Sequence, residues 1–233
     1  QQEFRHMSDT NEPIAVAAIT THNLAFAHLT YPDLAFAART LTLIEGPSGC
    51  GKSTLLKLIN RTVASCKGRI KLFGVDTATM DPLALRRRAQ LVGQDVFLFD
   101  GSVKSNFETF YEARGQKCPD AARMRVFLSL TQSHAKLDDT VETMSGGEKQ
   151  RVYLAVMMSF EPDVLLLDEP ASALDSVTSH ALFKALRGWA QHVGMTVIAV
   201  SHDPTLPEFL GCPTVRLNAP QTAAKNSENK KAL

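Results

Sequence analysis

The sequence predicts an α/β fold, a mostly parallel sheet with helices on both faces. Three observations carry that reading. Residues 46–54, Gly-Pro-Ser-Gly-Cys-Gly-Lys-Ser-Thr, stand between a β-branched and leucine run, Thr40 to Ile44, and a helical run, Ser53 to Asn60. Two later runs, Val164 to Leu167 and Met195 to Val200, are almost wholly apolar, as strands buried on both faces must be. Finally, 233 residues with 44% hydrophobic content can bury the core of one large α/β domain.

Residues 1–6, Gln-Gln-Glu-Phe-Arg-His, precede Met7 and lack the apolar core of a signal peptide, so they read as a leftover of recombinant expression. Ile14 to Thr20 and Asn23 to His28 read as two short, weakly alternating strands, and Leu34 to Ala37 as a third. Because strand side chains alternate, Phe26 and His28 are expected on one face, either of them a flat platform for a base. After the glycine loop and its helix, Gly68 to Gly74 is expected to be a strand bounded by glycines. Asp81-Pro82 is an N-cap followed by proline at the first helical position. That helix carries Arg86, Arg87 and Arg88, read as a solvated face.

Ala89 to Gly93 is a short strand ending at Gln94, and the apolar run Val96 to Phe99 precedes Gly101. From Ser102 to about Thr143 the sequence is helical and polar, which suggests a helical insertion. Ser145-Gly146-Gly147 opens a further helix reaching about Phe160, Ser176 to Gln191 is helical, and Thr214 to Leu217 is a last strand. Past Asn218 no apolar period remains, so 218–233 is read as a disordered tail. No linker or repeat divides the rest. One domain over 14–217 with a helical lobe at about 102–160 is the expected division.

A net charge of +1 gives no electrostatic ground for a nucleic-acid partner. No apolar run approaches the roughly 20 residues needed to cross a bilayer, so the chain is expected to stay in water. The four cysteines, Cys50, Cys66, Cys118 and Cys212, show neither a C-x-x-C pair nor zinc spacing, which suits a reducing cytosol. Cys50 reads as a small residue filling a loop position.

Residues 46–54 fit G-x-x-x-x-G-K-[ST] in full. Gly46, Pro47, Ser48, Gly49, Cys50 and Gly51 form a loop whose backbone N–H groups can curl around a phosphate, and the helix start adds partial positive charge. Lys52 is expected to neutralise terminal phosphates, and Ser53, followed by Thr54, to place a hydroxyl on Mg²⁺. Asp168 and Glu169 leave the end of an apolar strand, where ligands of open α/β sheets bind. Asp168 is the expected Mg²⁺ partner through water, and Glu169 the general base for an attacking water.

Together with this loop, Ser145-Gly-Gly-Glu-Lys-Gln-Arg151 shortly before Asp168 resembles the signature of ATP-binding cassette (ABC) ATPases. Gln94 is similar to that family's glutamine loop, Asp168-Glu169-Pro170 to its second nucleotide motif, Ser172-Ala-Leu-Asp175 to its D-loop, and His202 to its switch histidine. The resemblance implies a P-loop NTPase core with an N-terminal antiparallel β subdomain and a helical signature subdomain. It implies ATP binding and hydrolysis by a head-to-tail dimer, with Mg²⁺ as cofactor. Ser145, Gly146 and Gly147 of one copy would meet the γ-phosphate held by the other, with Asp175 at the seam. His202 would orient water with Glu169, and Gln94 would join Mg²⁺ to the surface that meets a transmembrane permease subunit. The location implied is cytoplasmic, peripheral on the inner face of the cell membrane through that permease.

Residues 46–57, 98–103 and 144–151 look like the short bacterial iron-export type. The other class open to the sequence is a soluble cassette used in assembly work such as iron–sulfur cluster biogenesis, with no membrane partner. Two departures from the family pattern stand out: Met144 replaces the usual leucine, and Glu148 the commonest glutamine. The segment before the phosphate loop is also short, which leaves Phe26, His28 and Tyr31 all open as the adenine platform.

Overall fold

The computed structural model describes residues 16–65 and 67–219. Residues 1–6, Ile14, Cys66 and the tail from 220 onward lie outside the described residues. The first element is β1 (Ala17–Phe26), a single ten-residue strand rather than the two expected. A bulge accounts for the difference. Pairing with the later strand β5 shifts register between His22 and Ala25, where Asn23 takes φ +48°. Asparagine tolerates that conformation better than most residues, and the Asp33 carboxylate accepts the Asn23 N–H at 2.7 Å. The polar Thr21-His22-Asn23 stretch is therefore absorbed within the strand.

β1 turns at Ala27-His28 into β2 (Leu29–Thr30), with Phe26 paired to Leu29 and Ala27 at φ +52°. His28 thus lies in a turn. The expectation that alternation puts it on one face with Phe26 does not hold, because alternation ends with the strand. β3 (Ala35–Ala37) also pairs with β1, followed by β4 (Leu41–Glu45) and α1 (Lys52–Ile59). β5 (Lys67–Leu72) contains Gly68 instead of being bounded by it, and a Phe73-Gly74 turn leads to β6 (Val75–Asp76). These strands form an antiparallel sheet of order β2-β1-β5-β6, with β3 also on β1.

α2 (Pro82–Arg88) begins as its sequence requires, with the Asp81 carboxylate accepting the Ala84 N–H at 2.8 Å. Arg86 and Arg87 donate to the Arg61 and Arg114 carbonyls, and Arg88 pairs with Asp163 at 2.6 Å. β7 (Ala89–Val92) follows, then α3 (Val103–Ala113), α4 (Ala121–Leu130) and α5 (Gly146–Met158), which pack into a helical lobe. The chain returns through β8 (Val164–Asp168), α6 (Ser176–Val193), β9 (Thr196–Val200), α7 (Leu206–Leu210) and β10 (Thr214–Arg216).

β10-β4-β9-β8-β7 is a five-stranded sheet in which every pairing is parallel. Val164 and Leu166 of β8 enter one apolar cluster with α1 and the antiparallel sheet, while Leu165 and Leu167 enter the other with α3 to α6. That two-sided burial explains the unbroken apolar run. The lobe is tied to the sheet by buried Gln90 of β7, whose amide donates to Met157 O (2.9 Å) and accepts from Arg114 (2.7 Å). Arg114 lies 3.6 Å over the Phe160 ring.

Leu166→Ala, at a position with no exposed surface, should lower the free energy of unfolding by about 2–5 kcal/mol. Val177→Ala, at a residue 77% exposed, should stay within about 0.5 kcal/mol. Urea denaturation of both variants checks this, and equal costs would contradict the burial described.

Candidate active site

The parallel sheet gathers the chemistry at one edge. β4 ends at the phosphate loop, β8 at Asp168-Glu169, β9 just before His202 and β7 just before Gln94. β9 lies between β4 and β8, in a register that places Ile44, Val200 and Asp168 in one row.

Gly46 leaves β4 at φ +151°, and a Cβ there would lie 2.4 Å from the Leu217 carbonyl oxygen, because Leu217 N–H donates to Glu45 O and draws the C-terminal strand over the loop. At Gly51, φ +96°, a Cβ would meet the Tyr31 hydroxyl at 2.6 Å. That hydroxyl donates to Gly51 O at 3.0 Å, and burial of the ring pushes its pKa up to about 12. Tyr31 therefore supports the loop from within the core and is not placed to stack on a base. Phe26 is half-buried and His28 exposed. Buried Cys50 fills the loop interior, its sulfur close behind Gly46. Lys52 is buried, its Nζ donating to Gly46 O (2.8 Å) and Pro47 O (3.1 Å). With Gly51 at its N-cap, α1 begins without a side-chain cap, so its first N–H groups face the loop cradle.

The Ser53 hydroxyl donates to Asp168 Oδ1 at 2.9 Å. Burial pushes the Asp168 carboxyl above the ordinary range; the Ser53 bond opposes this and the neighbouring Glu169 adds to it. Glu169 takes φ +55°, a left-handed conformation rare for this residue type, and its N–H donates to Val200 O. The turn brings its Oε1 to 2.8 Å from His202 Nε2, at a cleft of about 400 Å³ also lined by Ser172, Ser201 and Asp203. Hard oxygen donors at Ser53 and Asp168 suit a small divalent cation.

Gln94 is exposed on a second cleft of about 600 Å³ with Gly146, Gln150, Ser172 and Ala173. Ser145 and Glu148 form a capping box: the Ser145 N–H and hydroxyl donate to Glu148 Oε2 at 2.8 and 2.6 Å, and these bonds hold the Glu148 carboxyl below its usual range. A Cβ at Gly147 would touch Ala173 of the same chain at 3.4 Å, whereas Gly146 has open space. Asp175 caps α6, accepting the Thr178 N–H (3.0 Å) and hydroxyl (2.7 Å), which lower its pKa.

The fold thus pairs Ser53 with Asp168 and Glu169 with His202, and sets Gln94 beside Gly146. Sequence reading did not single out Gln150, whose amide donates to Glu169 O at 3.3 Å, or His180, which bonds to Asp203 and Thr205 beyond His202. Gln150 lies within the motif at 145–151, but nothing local reports either contact, since each partner lies 19 or more residues away.

Because burial raises the Asp168 carboxyl in the folded state, its stabilising contribution is present below the unfolded range of about 3.9 and is lost as pH rises through the folded value. Asp168→Asn should therefore raise the Tm of the nucleotide-free protein at pH 7, and the gain should shrink as pH falls toward 4. Thermal melts across that range check it; a variant less stable than wild type at pH 7 would contradict the sign.

A profile of the family described as "ABC transporter" matches residues 29–172. The chain is 39% identical over 161 residues to Protein STAR1 of Oryza sativa subsp. japonica, covering 69% of this chain and 46% of that protein. It is 35% identical over 176 residues to the probable iron export ATP-binding protein FetA of Escherichia coli, covering 73% and 76%. The chain thus spans under half of STAR1 and about three quarters of FetA. Among solved structures, cbiO1 from Clostridium perfringens, described as part of the ABC transporter complex cbiONQ, superposes with a TM-score of 0.75 at 26% identity, covering 86% and 84%. The family match runs from the N-terminal hairpin through the phosphate loop and signature to Asp168-Glu169, and on that ground the chain belongs to the ABC transporter family and carries its ATPase domain.

Proposed function

We propose that this chain hydrolyses ATP at a site completed by a second copy of itself, and that the cycle drives a separate transmembrane permease. The observation that carries the reading is the single edge at which Lys52, the Ser53–Asp168 pair and the Glu169–His202 pair meet. The loop N–H groups and the start of α1 hold the phosphates, and Lys52 exchanges its loop carbonyls for phosphate oxygens. Ser53 and Asp168, with Gln94, are the residues that would hold Mg²⁺, which when bound supplies charge neutralisation on the phosphate oxygens. Glu169 accepts the proton of the attacking water, its carboxylate oriented by His202.

Ser145 and Gly146 are exposed at the start of α5, and Asp175 stands beside the 77%-exposed Val177 at the start of α6. Both starts are available to a second copy's γ-phosphate and seam. The permease reading is supported by Phe97 (56% exposed) and Phe99 (38%), which meet edge-to-face at 4.9 Å beside Phe110. They lie just past Gln94 in the chain, so an apolar segment docked on them would press on the loop that carries Gln94. That exposed aromatic group favours a membrane partner over soluble assembly work. No helix among the described residues is long and apolar enough to cross a membrane, so attachment at the cytoplasmic face runs through the permease in this proposal. Similarity to FetA favours metal export, with cargo recognition assigned to the permease.

Glu169→Gln should keep ATP binding and lose steady-state phosphate release by about two orders of magnitude or more; near-normal release removes Glu169 from the base role. For the shared site, Lys52→Ala and Gly146→Arg should each be inactive alone. Gly146 is the better blocking position than Gly147 because a side chain there meets nothing in its own chain. Mixed, the two should recover partial activity that rises with protein concentration. A mixture as inactive as its parts, together with a monomeric sizing profile of Glu169→Gln in ATP, overturns the two-chain site. For the adenine face, His28→Ala or Phe26→Ala should weaken ATP binding by about 1 kcal/mol; titrations in which neither does so remove both residues as platforms.

A further inference from the structure

We propose that His180 is a positioning residue for the loop that carries His202. This rests on the role given to His202 above. His180 projects from the second turn of α6, and its Nε2 lies 3.1 Å from Asp203 Oδ2 and 3.0 Å from Thr205 Oγ1. Thr205 directs its hydroxyl proton to Asp203 Oδ1 at 2.6 Å, and its backbone N–H donates to the same oxygen at 2.9 Å. Both groups therefore face His180 as acceptors, which places the imidazole proton on Nε2. The ring is stacked on Phe209 of α7, with centroids 4.3 Å apart and planes 22° from parallel, so its orientation is set independently of the hydrogen bonds. Arg187, further along α6, donates to the Leu210 carbonyl and holds α7 in place.

The Asp203–Thr205 turn would close locally without His180. What His180 adds is an attachment from α6 to the residue just after His202. α6 is the helix whose start is capped by Asp175, so the seam residue and the grip on the His202 loop belong to one rigid element. The path His180, Asp203, His202, Glu169 is continuous: one covalent step separates Asp203 from His202, and 2.8 Å separates His202 Nε2 from Glu169 Oε1. The His180 and Asp203 side chains are about a quarter exposed, and their contact ties the loop after His202 to α6.

The test is steady-state phosphate release by the full chain at varied ATP. His180→Phe keeps a ring over Phe209 and removes the donor; His180→Gln keeps a donor near the Nε2 position. Thr205→Val leaves the ring alone and removes one acceptor together with that hydroxyl's own bond to Asp203, while the backbone N–H bond of Thr205 to Asp203 stays. His180→Phe and Thr205→Val should lower kcat about three- to tenfold, the scale of one hydrogen bond, with KM within about twofold of wild type, and His180→Gln should recover most of kcat. In a His202→Ala background, read by single turnovers so that slow rates are resolved, His180→Phe should cost less than about twofold more. Wild-type kcat in both His180→Phe and Thr205→Val, a loss confined to KM, a glutamine variant as slow as the phenylalanine one, or full additivity with His202→Ala overturns the inference. Full turnover by His202→Ala itself would instead sink the reading of His202, so the two failures are distinguishable.

Discussion

The site depends on β9 being hydrogen-bonded in parallel to β4 on one side and β8 on the other, with Ile44, Val200 and Asp168 in one row. In that register the three strands end together, and the segments leaving them must share one edge. Those segments are the phosphate loop, the carboxylate pair and the histidine loop. A slip of one residue would move every buried side chain of a strand to the opposite face, and the two apolar clusters that sandwich the sheet forbid it. Packing on both faces thus fixes the chemistry at the edge.

That edge holds arrangements the rest of the fold must support. Asp168 is a buried acid whose charge stays disfavoured even with the Ser53 hydroxyl bonded to it, because burial outweighs that bond. Glu169 occupies a left-handed backbone conformation, and Gly46 sits where no side chain fits beneath Leu217. Buried Tyr31 and Cys50 hold the loop in shape from the core side. Such tension is usual where a site is organised for binding in advance of its ligand.

The helical lobe and α6 contribute differently. Both present helix starts whose capping residues, Ser145 and Asp175, are satisfied within the chain, so the exposed N-termini are ordered before any second copy arrives. The Glu148 carboxylate makes the cap at Ser145 reciprocal, and it stands at the helix start proposed above to meet a second copy's phosphate. Gln90 and Arg114 join the lobe to β7, the strand that leads to Gln94.

The sequence by itself determined the fold class, the order of most elements and the motif residues at the parallel edge. Each of these rests on contiguous residues: a glycine spacing, an unbroken apolar run, a cap followed by proline. The tertiary structure decided the rest. The bulge that makes one strand of β1 forms where Gly68 and Asp33 meet Asn23 from elsewhere in the chain, and His28 is a turn residue because Phe26 pairs with Leu29 across it. Tyr31 left the adenine candidates once its hydroxyl found Gly51, 20 residues on, and His180 gained a role only when α6 packed against the loop after β9. Period and propensity are local, whereas the partner of a single polar side chain is chosen by the packing of elements far apart in sequence, and no pattern around that side chain reports it.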